Sequence, residues 1–324
     1  MSRSHNAKAL SPRTHLRALA TAFARFAGWV RRANRALWAA PTAIRVLAVG
    51  IVMLALWGAA NWIVQTVRKP SEMFFPVGGA LVKTPLETWR RYGSLFREHS
   101  TAVIAPELLA ALAQIEGAGN PVARPRWSWR ASWNPFELYR PSSSAVGMFQ
   151  ITDAAFRDAK RYCIHDHAVV EDGPWYDPTS CWFNGLYTRV VPSHAIEMTS
   201  ALLDRRVANM LARSAATLEQ KQDLAAVIHL CGPARGGAYA RGGFQSAGQR
   251  CGAHDLAGYL AQVNALKRLF VRLAGADRTG ATRYRFRSCA ATRAESPAGN
   301  TRGRFRARRW SRPALSIHRA GSST

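Results

Sequence analysis

Acidic residues are scarce in this chain, and its first 45 residues have none. The whole sequence has 19 Asp and Glu against 45 Lys and Arg, a formal net charge of +26. Residues 1–45 hold nine basic residues and no acid, and residues 277–324 hold twelve basic residues and two acids. These two ends therefore carry +19, which leaves only +7 on the 231 residues between them. The middle is an ordinary, mildly basic globular stretch, and both ends are arginine-rich arms.

Three further patterns are missing, and each absence narrows the class of protein. No stretch sustains the alternation of apolar and polar residues that is typical of strands, so we expect a mainly helical domain. None of the five cysteines lies in a CxxC pair, which argues against a structural zinc site. The stretch "GPARGGAYARGG" lacks the Gly-Lys-Ser/Thr ending of a P-loop. Neither a metal nor another cofactor is implied.

One long apolar run is present. Val46–Val64, "VLAVGIVMLALWGAANWIV", contains no charge, and Asn61 is its only polar residue. At about 1.5 Å per residue, a helix of this length roughly matches a hydrocarbon core of about 30 Å. We therefore expect a transmembrane anchor over residues 46–66. A buried core helix is one alternative, and a signal peptide cleaved near "GAAN" is another.

The charges on either side of the run predict its orientation. Nine basic residues precede it, whereas the flank after it has only Arg68 and Lys69 before Glu72. By the positive-inside rule, residues 1–45 stay in the cytoplasm and everything after Arg68 is exported. The expected location is the bacterial inner membrane, single-pass, with the remaining domain in the periplasm.

The cysteines fit an oxidising compartment. The first four form two pairs that are 18 and 20 residues apart: Cys163 with Cys181, and Cys231 with Cys251. In the periplasm each pair is a disulfide candidate that closes a local loop worth about 3 kcal/mol. This pairing rests on proximity alone. Cys289 is left over in the basic tail.

The composition divides the exported part into three regions. Residues 67–100 begin with two prolines and two glycines, typical of a juxtamembrane connector, and end in a short helix. That helix begins at Thr84, Pro85 and Glu87, which form a capping box with proline at the first helical position. Residues 101–276 have the composition of a folded domain. Residues 277–324 are rich in Arg, Ser, Gly and Ala, so we expect a disordered tail.

A glutamate occupies an unusual place at the end of the next helix. The helix begins near Pro106, and Leu108, Leu112 and Glu116 follow at four-residue spacing on one face. Burial on an apolar face and the negative end of the helix dipole both raise the pKa of a carboxyl group. A carboxyl that keeps its proton near neutral pH is a general acid, as the cleavage of a glycosidic bond requires. The alternative is a glutamate that turns outward at the fraying helix end.

The segment Ala123–Pro141 interrupts the helical pattern. It is rich in tryptophan, arginine and proline, and we expect an ordered loop insertion. Its aromatic residues either stack on sugar rings or form a small satellite core: Trp127, Trp129, Trp133 and Phe136. Amphipathic helices are expected again after residue 192 and up to about residue 275.

Several segments together resemble the soluble lytic transglycosylase family of the lysozyme-like superfamily. They are Glu116 with the following "GNP", then "SSSAVGMFQIT", "AAVIHLCGPARG" and "GYLAQV", and the resemblance covers roughly Thr101–Leu273. It implies a lysozyme-like helical domain that cleaves peptidoglycan, with Glu116 as the sole catalytic carboxylate. It also implies substrate contacts at matching positions, which are Gly147, Met148, Phe149, Gln150, His229 and Tyr259.

The chain departs from the family pattern at three places. Gly117 replaces the usual serine after the acid, Ser144 stands where glycine is expected, and His229-Leu230 replaces Tyr-Asn. His229 is either a polar contact in the groove or a satisfied core histidine. The loss of Tyr-Asn motivates a different class of function, a non-catalytic module that binds peptidoglycan in an envelope assembly.

The implied reaction is a lyase reaction on the β-1,4 bond between N-acetylmuramic acid and N-acetylglucosamine, ending in a 1,6-anhydro product. A hydrolytic lysozyme of the usual kind needs a second acid about 5 to 9.5 Å from the first. The candidates are Glu137 and Asp153, of which Asp153 has the position of a helix cap. The single-carboxylate lyase is therefore favoured over the hydrolase.

The expected partners follow from this location. They are peptidoglycan strands, inner-membrane lipid and an envelope-spanning complex. The tail sequence "RGRFRARRW" suits phosphate contact and base stacking, but nucleic acid is scarce outside the cytoplasm. Anionic lipid headgroups or acidic wall polymers fit this tail better, and a plain solvated extension is the remaining alternative.

Overall fold

The computed structural model describes residues 12–74, 78–174, 176–177, 179–212 and 214–291. The chain divides into two compact units, residues 1–273 and 274–324. The described part is mainly helical, as predicted. Its helices are α1 (Pro12–Ala39), α2 (Thr42–Arg68), α3 (Pro85–Glu98), α4 (Pro106–Gly117), α5 (Asp153–Ala159), α6 (Pro192–Met210), α7 (Leu218–Cys231), α8 (Pro233–Arg241) and α9 (Leu256–Ala291).

In the described part of the chain, six short strands form three antiparallel pairs that the sequence analysis did not predict. They are β1 (Trp127–Trp129) with β2 (Tyr139–Pro141), β3 (Tyr162–His165) with β4 (Ala168–Glu171), and β5 (Arg250–Cys251) with β6 (His254–Asp255). Each strand has two to four residues. Strands this short cannot show a sustained period of two, which explains why the pattern was not visible.

The apolar run lies in α2. This helix is long and apolar enough to span a membrane, with a mean hydropathy of 2.1 over its most apolar 18 residues. None of those 18 residues is buried in protein, so the alternative of a buried core helix does not hold for them. The basic segment before it contains α1, a helix that the charge pattern did not reveal.

The start of α3 follows the capping rule. The Thr84 hydroxyl accepts a hydrogen bond from the Glu87 backbone N–H, and the Glu87 carboxylate accepts one from the Thr84 N–H at 2.8 Å. Proline at the first helical position needs no hydrogen-bond partner there. The predicted capping box is therefore confirmed.

The core of the first unit is built between helices that are distant in the chain. Trp89 of α3 packs against Phe270 of α9, with 5.7 Å between the ring centroids. Among the largest fully buried side chains are Phe96, Leu108, Leu112, Phe149, Ile196 and Leu203. Burial of such side chains stabilises the fold by roughly 1.5–3 kcal/mol each. This core holds the end of α4, and therefore Glu116, against the rest of the unit.

Both predicted disulfides are confirmed. Cys163 of β3 is bonded to Cys181, and Cys231 at the end of α7 is bonded to Cys251 of β5. The second bond ties down the chain between α8 and α9. Each closes a loop of about twenty residues, where stabilisation is typically about 3 kcal/mol.

The predicted start of the disordered tail was placed too early. Helix α9 continues to Ala291, whereas disorder was expected from residue 277. The chain contains no proline between Pro233 and Pro297, and its alanines and arginines are good helix formers. Residues 292–324, like residues 1–11 of the basic amino-terminal segment, lie outside the described residues.

Candidate functional site

Glu116 lies one residue before the end of α4. Leu108 and Leu112, on the same face, are fully buried, and Glu116 is only partly buried one turn later. The helix ends because Ala118 adopts a left-handed conformation, with φ of 48°. The Ala118 N–H then bonds to the Gln114 carbonyl and the Gly119 N–H to the Ala113 carbonyl, both at 3.0 Å, and the first of these bonds is that of a left-handed (αL) helix ending. The carboxyl group is thus held on a rigid helix end.

Tyr259 is the hydrogen-bond partner of Glu116. Its phenol oxygen donates to Glu116 Oε1 at 3.1 Å, across 143 residues of sequence. The Tyr259 side chain is 6% exposed, and burial raises its pKa far above the usual value, with a further contribution from the Glu116 charge. Tyr259 therefore keeps its proton and is available as the donor to the Glu116 carboxyl group over a wide pH range.

His229 lies close enough to Glu116 to feel its charge. Burial lowers the pKa of His229, and the Glu116 carboxylate opposes this effect. The imidazole ring packs edge-to-face on Phe149, with 6.3 Å between the centroids. A neutral imidazole follows at neutral pH. His229 combines features of both interpretations, since its ring packs on the core and also faces a small cavity of about 70 Å³.

The stretch Gly147–Gln150 packs against the end of α4, where the Met148 backbone lies next to Gly117. Met148 and Phe149 have fully buried side chains, so these side chains are part of the core. Gly147 has φ of 83°, and a side chain there would collide with the Arg189 carbonyl oxygen. Gln150 donates to the Gly147 carbonyl at 2.9 Å and lines the same small cavity as His229.

Gly117 explains one departure from the family pattern. A side chain at this position would place its Cβ 2.8 Å from the Cα and the carbonyl oxygen of Met148. The backbone after Gly147 therefore approaches the end of α4 so closely that only glycine fits there. The stretch Gly147–Gln150 can therefore lie this close to α4 only because the residue after Glu116 is glycine.

Glu116 lines a large cavity of about 1280 Å³. One side is the end of α4, and the opposite side is formed by α2 and by the first hairpin, β1 with β2. Charged residues that line it are Glu116, Arg124 and Arg126. Aromatic residues that line it are Trp57, Trp62, Trp127, Trp129 and Tyr139. Aromatic walls with a few charged groups are typical of ligand sites, and this cavity is somewhat larger than their usual range of about 300–1,000 Å³.

Neither candidate for a second catalytic acid lines this cavity. Asp153 begins α5, is 54% exposed and pairs with Arg189 at 2.8 Å. Glu137 pairs with Arg68 at 3.3 Å. Among the described residues, Glu116 is the only carboxylate in the cavity wall.

The sequence analysis missed the contribution of α2 and its flank to this site. Glu72, just after α2, is fully buried and accepts a hydrogen bond from Trp127 Nε1 at 2.9 Å. It also pairs with Arg124 at 3.2 Å and with Lys69 at 3.4 Å. The sequence held a signal for the contact of α2 with the domain, because the amides Asn61 and Gln65 lie four residues apart on one face of a helix with a long apolar run.

The aromatic insertion is a satellite cluster rather than a row of free stacking platforms. Tyr139 packs on Trp127 and Trp129, with ring centroids 5.2 and 4.7 Å apart. Trp133 is completely exposed, and Trp129 is still 68% exposed. The faces that Trp127 and Trp129 turn to the cavity remain accessible to a ligand.

Comparisons with known proteins add no relative. No family model matches the chain, no curated protein matches it, and no solved structure matches it.

Proposed function

We propose that this protein is a membrane-anchored lytic transglycosylase with a lysozyme-like domain that acts on peptidoglycan. The observation that carries the proposal is Glu116 itself: a helix-end carboxyl group that accepts a hydrogen bond from a buried tyrosine and faces a large cavity in which no other acid lines the wall among the residues that the structure describes. A single carboxylate suits a lyase, because the reaction needs no second acid to activate water.

In the first step Glu116 gives its proton to the bridging oxygen of the β-1,4 bond, on the N-acetylglucosamine side. The bond between that oxygen and C1 of N-acetylmuramic acid breaks, and the acetamido oxygen of the same sugar stabilises C1. Glu116 is left as a carboxylate, and the Tyr259 phenol donates to it. Hydrogen bonds to a charged acceptor are the stronger kind, so this contact favours the transition state.

In the second step the 6-hydroxyl of N-acetylmuramic acid attacks C1. Its proton passes to the Glu116 carboxylate, and the bond between O6 and C1 closes the 1,6-anhydro ring. Glu116 is protonated again and ready for another cycle. Water is neither consumed nor released, and no electrons are exchanged with a cofactor.

Helix α2 is the proposed anchor in the inner membrane, with residues 1–45 in the cytoplasm. Its length and apolar surface support this assignment, as does the concentration of nine basic residues before the apolar run Val46–Val64. The two disulfides support an oxidising compartment for the rest of the chain, the periplasm.

A non-catalytic peptidoglycan-binding module is the second candidate. It is motivated by the replacement of Tyr-Asn with His229-Leu230, where the His229 ring packs on Phe149. On this alternative the cavity binds a strand and serves an assembly in the envelope, without cleavage.

The test uses the full-length protein in lipid nanodiscs with purified peptidoglycan, in water enriched in ¹⁸O. A lyase releases anhydro products without the label, a hydrolase releases reducing ends that carry it, and a binding module releases nothing. We expect Glu116→Gln to abolish release and to keep binding. Glu107→Gln is the matched control, because Glu107 lies in the first turn of the same helix. Full activity of the Glu116→Gln protein would refute the proposal.

A further inference from the structure

Two neighbouring faces of α2 have different tasks. Trp57, Asn61 and Gln65 follow at four-residue spacing and face the first hairpin, and Leu54, Gly58 and Trp62 on the next stripe line the cavity, as Trp57 and Asn61 also do. Residues four apart share a face of a helix. One stripe of α2 therefore holds the helix to the domain, and the next stripe is a wall of the site.

The contacts of the first stripe make this wall a fixed part of the cavity. Asn61 Nδ2 donates to the Tyr139 carbonyl at 2.7 Å, and Gln65 Nε2 donates to the Phe136 carbonyl at 2.6 Å. The Trp57 ring stacks on Trp129, with 5.9 Å between the centroids. Because Asn61 and Gln65 are 1% and 5% exposed, these hydrogen bonds are shielded from water.

The wall from Leu54 to Trp62 lies inside the apolar run Val46–Val64. At about 1.5 Å per residue it is about 12 Å long. If α2 spans the membrane, this wall lies at the outer boundary of the hydrocarbon layer, because the hairpin that packs beside it carries the charged residues Glu137 and Arg140. The cavity then extends from the lipid chains to the Glu116 carboxyl group, a path that suits an amphiphile.

The polar groups along this path suit a ligand that carries phosphate groups and a hydrogen-bond donor. Arg124 and Arg126 line the cavity on the side of the hairpin, and Arg124 also pairs with Glu72. Arginine binds phosphate groups strongly. Asn61 lines the cavity as well, and its side-chain oxygen is buried without a hydrogen-bond partner. A buried acceptor of this kind calls for a donor from a ligand, such as a hydroxyl or an amide.

We infer that the cavity takes a glycan strand whose reducing end is still joined through phosphate groups to a membrane lipid. The lipid chain lies along Leu54, Gly58 and Trp62, the phosphates lie near the two arginines, and the sugars reach Glu116. The inference rests on the proposed function and adds the substrate class. A strand free of lipid is the occupant that it excludes as the preferred substrate.

Two glycines of α2 offer a matched pair of variants. A Cβ added at Gly58 meets nothing within 4 Å, and the same holds at Gly50. Gly58 lines the cavity, whereas Gly50 lies two turns earlier and does not. Gly58→Leu therefore fills the lipid path without a clash in the protein, and Gly50→Leu adds the same side chain elsewhere on the helix.

The experiment compares two substrates with the full-length protein in vesicles. One is an uncrosslinked glycan strand with an isoprenoid diphosphate at its reducing end, and the other is the same strand after mild acid has removed the lipid. The readout is the ratio of the two rates of release of anhydro products. We expect a ratio of at least about ten for the wild type and for Gly50→Leu, and a ratio near one for Gly58→Leu. Tenfold is about what burial of two methylene groups contributes.

A wild-type ratio near one, or a ratio that Gly58→Leu leaves unchanged, overturns the inference while the proposed function stands. If the wild type cleaves neither strand, the proposed function fails, and binding of a lipid-linked disaccharide in the same vesicles decides the inference. Binding that Gly58→Leu weakens about tenfold supports it, since burial of about two methylene groups is lost. No binding, or binding that Gly58→Leu leaves intact, refutes it.

Discussion

Replacing Tyr259 with phenylalanine removes one hydrogen bond from Glu116 and leaves the aromatic ring in place. The phenol oxygen is 3.1 Å from Glu116 Oε1, in a side chain that is 6% exposed. A hydrogen bond to a charged group contributes a net of about 1.5–3 kcal/mol. If the whole contribution is realised in the transition state, the rate falls about 10- to 150-fold.

The proposed mechanism says where this loss must be seen. Glu116 begins the reaction neutral and becomes a carboxylate as the proton leaves, so the Tyr259 hydrogen bond strengthens along the reaction. An interaction that strengthens only in the transition state affects kcat and kcat/KM alike, with little change in KM. We therefore expect Tyr259→Phe to lower kcat by this factor while substrate binding is kept.

The assay is release of anhydro products by the full-length protein in nanodiscs, over a range of substrate concentrations. Tyr239→Phe is the control. Like Tyr259, Tyr239 is a buried tyrosine, 2% exposed, and burial raises its pKa to about 12. Its ring packs on Phe244, however, and Tyr239 is not the hydrogen-bond partner of Glu116. We expect this control to keep its rate within about twofold, which is under 0.5 kcal/mol. If Tyr259→Phe also stays within about twofold of wild type, Tyr259 does not support Glu116 in the reaction.

Two further predictions concern stability. Burial and the Glu116 charge raise the pKa of Tyr259, whereas an unfolded tyrosine titrates near 10. The contribution of the protonated Tyr259 to the free energy of unfolding is thus fully present below about pH 10. It falls as the pH rises above this value, by up to about 1.4 kcal/mol per pH unit. Unfolding of the wild type between pH 9 and 11 should show a steeper loss than unfolding of Tyr259→Phe, and parallel curves would contradict the argument. Gly117→Ala places a Cβ 2.8 Å from the Met148 backbone, and we expect it to cost about 1–3 kcal/mol in denaturant unfolding. Gly185→Ala, where a Cβ meets nothing within 4 Å, is the control, and equal midpoints for the two variants would speak against the close contact.

Local signals in the sequence predicted local structure well. The capping box at Thr84, the bounds of α4 and the apolar run in α2 were all predictable, because each depends on residues within a few turns of one another. The two disulfides join cysteines only 18 and 20 residues apart, so proximity was enough to pair them. The hairpins were missed because strands of two to four residues have too little pattern.

The family resemblance brought Glu116 and Tyr259 together before the structure did. Their hydrogen bond joins positions 143 residues apart, which periodicity alone cannot relate. The same resemblance assigned Met148 and Phe149 to a sugar groove, and the structure buries both side chains. The left-handed turn at Gly147 directs the following residues into the core, and a motif of residue types does not reveal that direction.

Sequence by itself determined the helical class, the anchor candidate and the disulfides, because each rests on composition or on spacing along the chain. Only the tertiary structure decided that α2 is a wall of the Glu116 cavity. That arrangement depends on hydrogen bonds from Asn61 and Gln65 to hairpin carbonyls 78 and 71 residues away. Such bonds join a side chain to a backbone carbonyl of another segment, and every residue has a backbone carbonyl. The residue types of the hairpin therefore do not predict them.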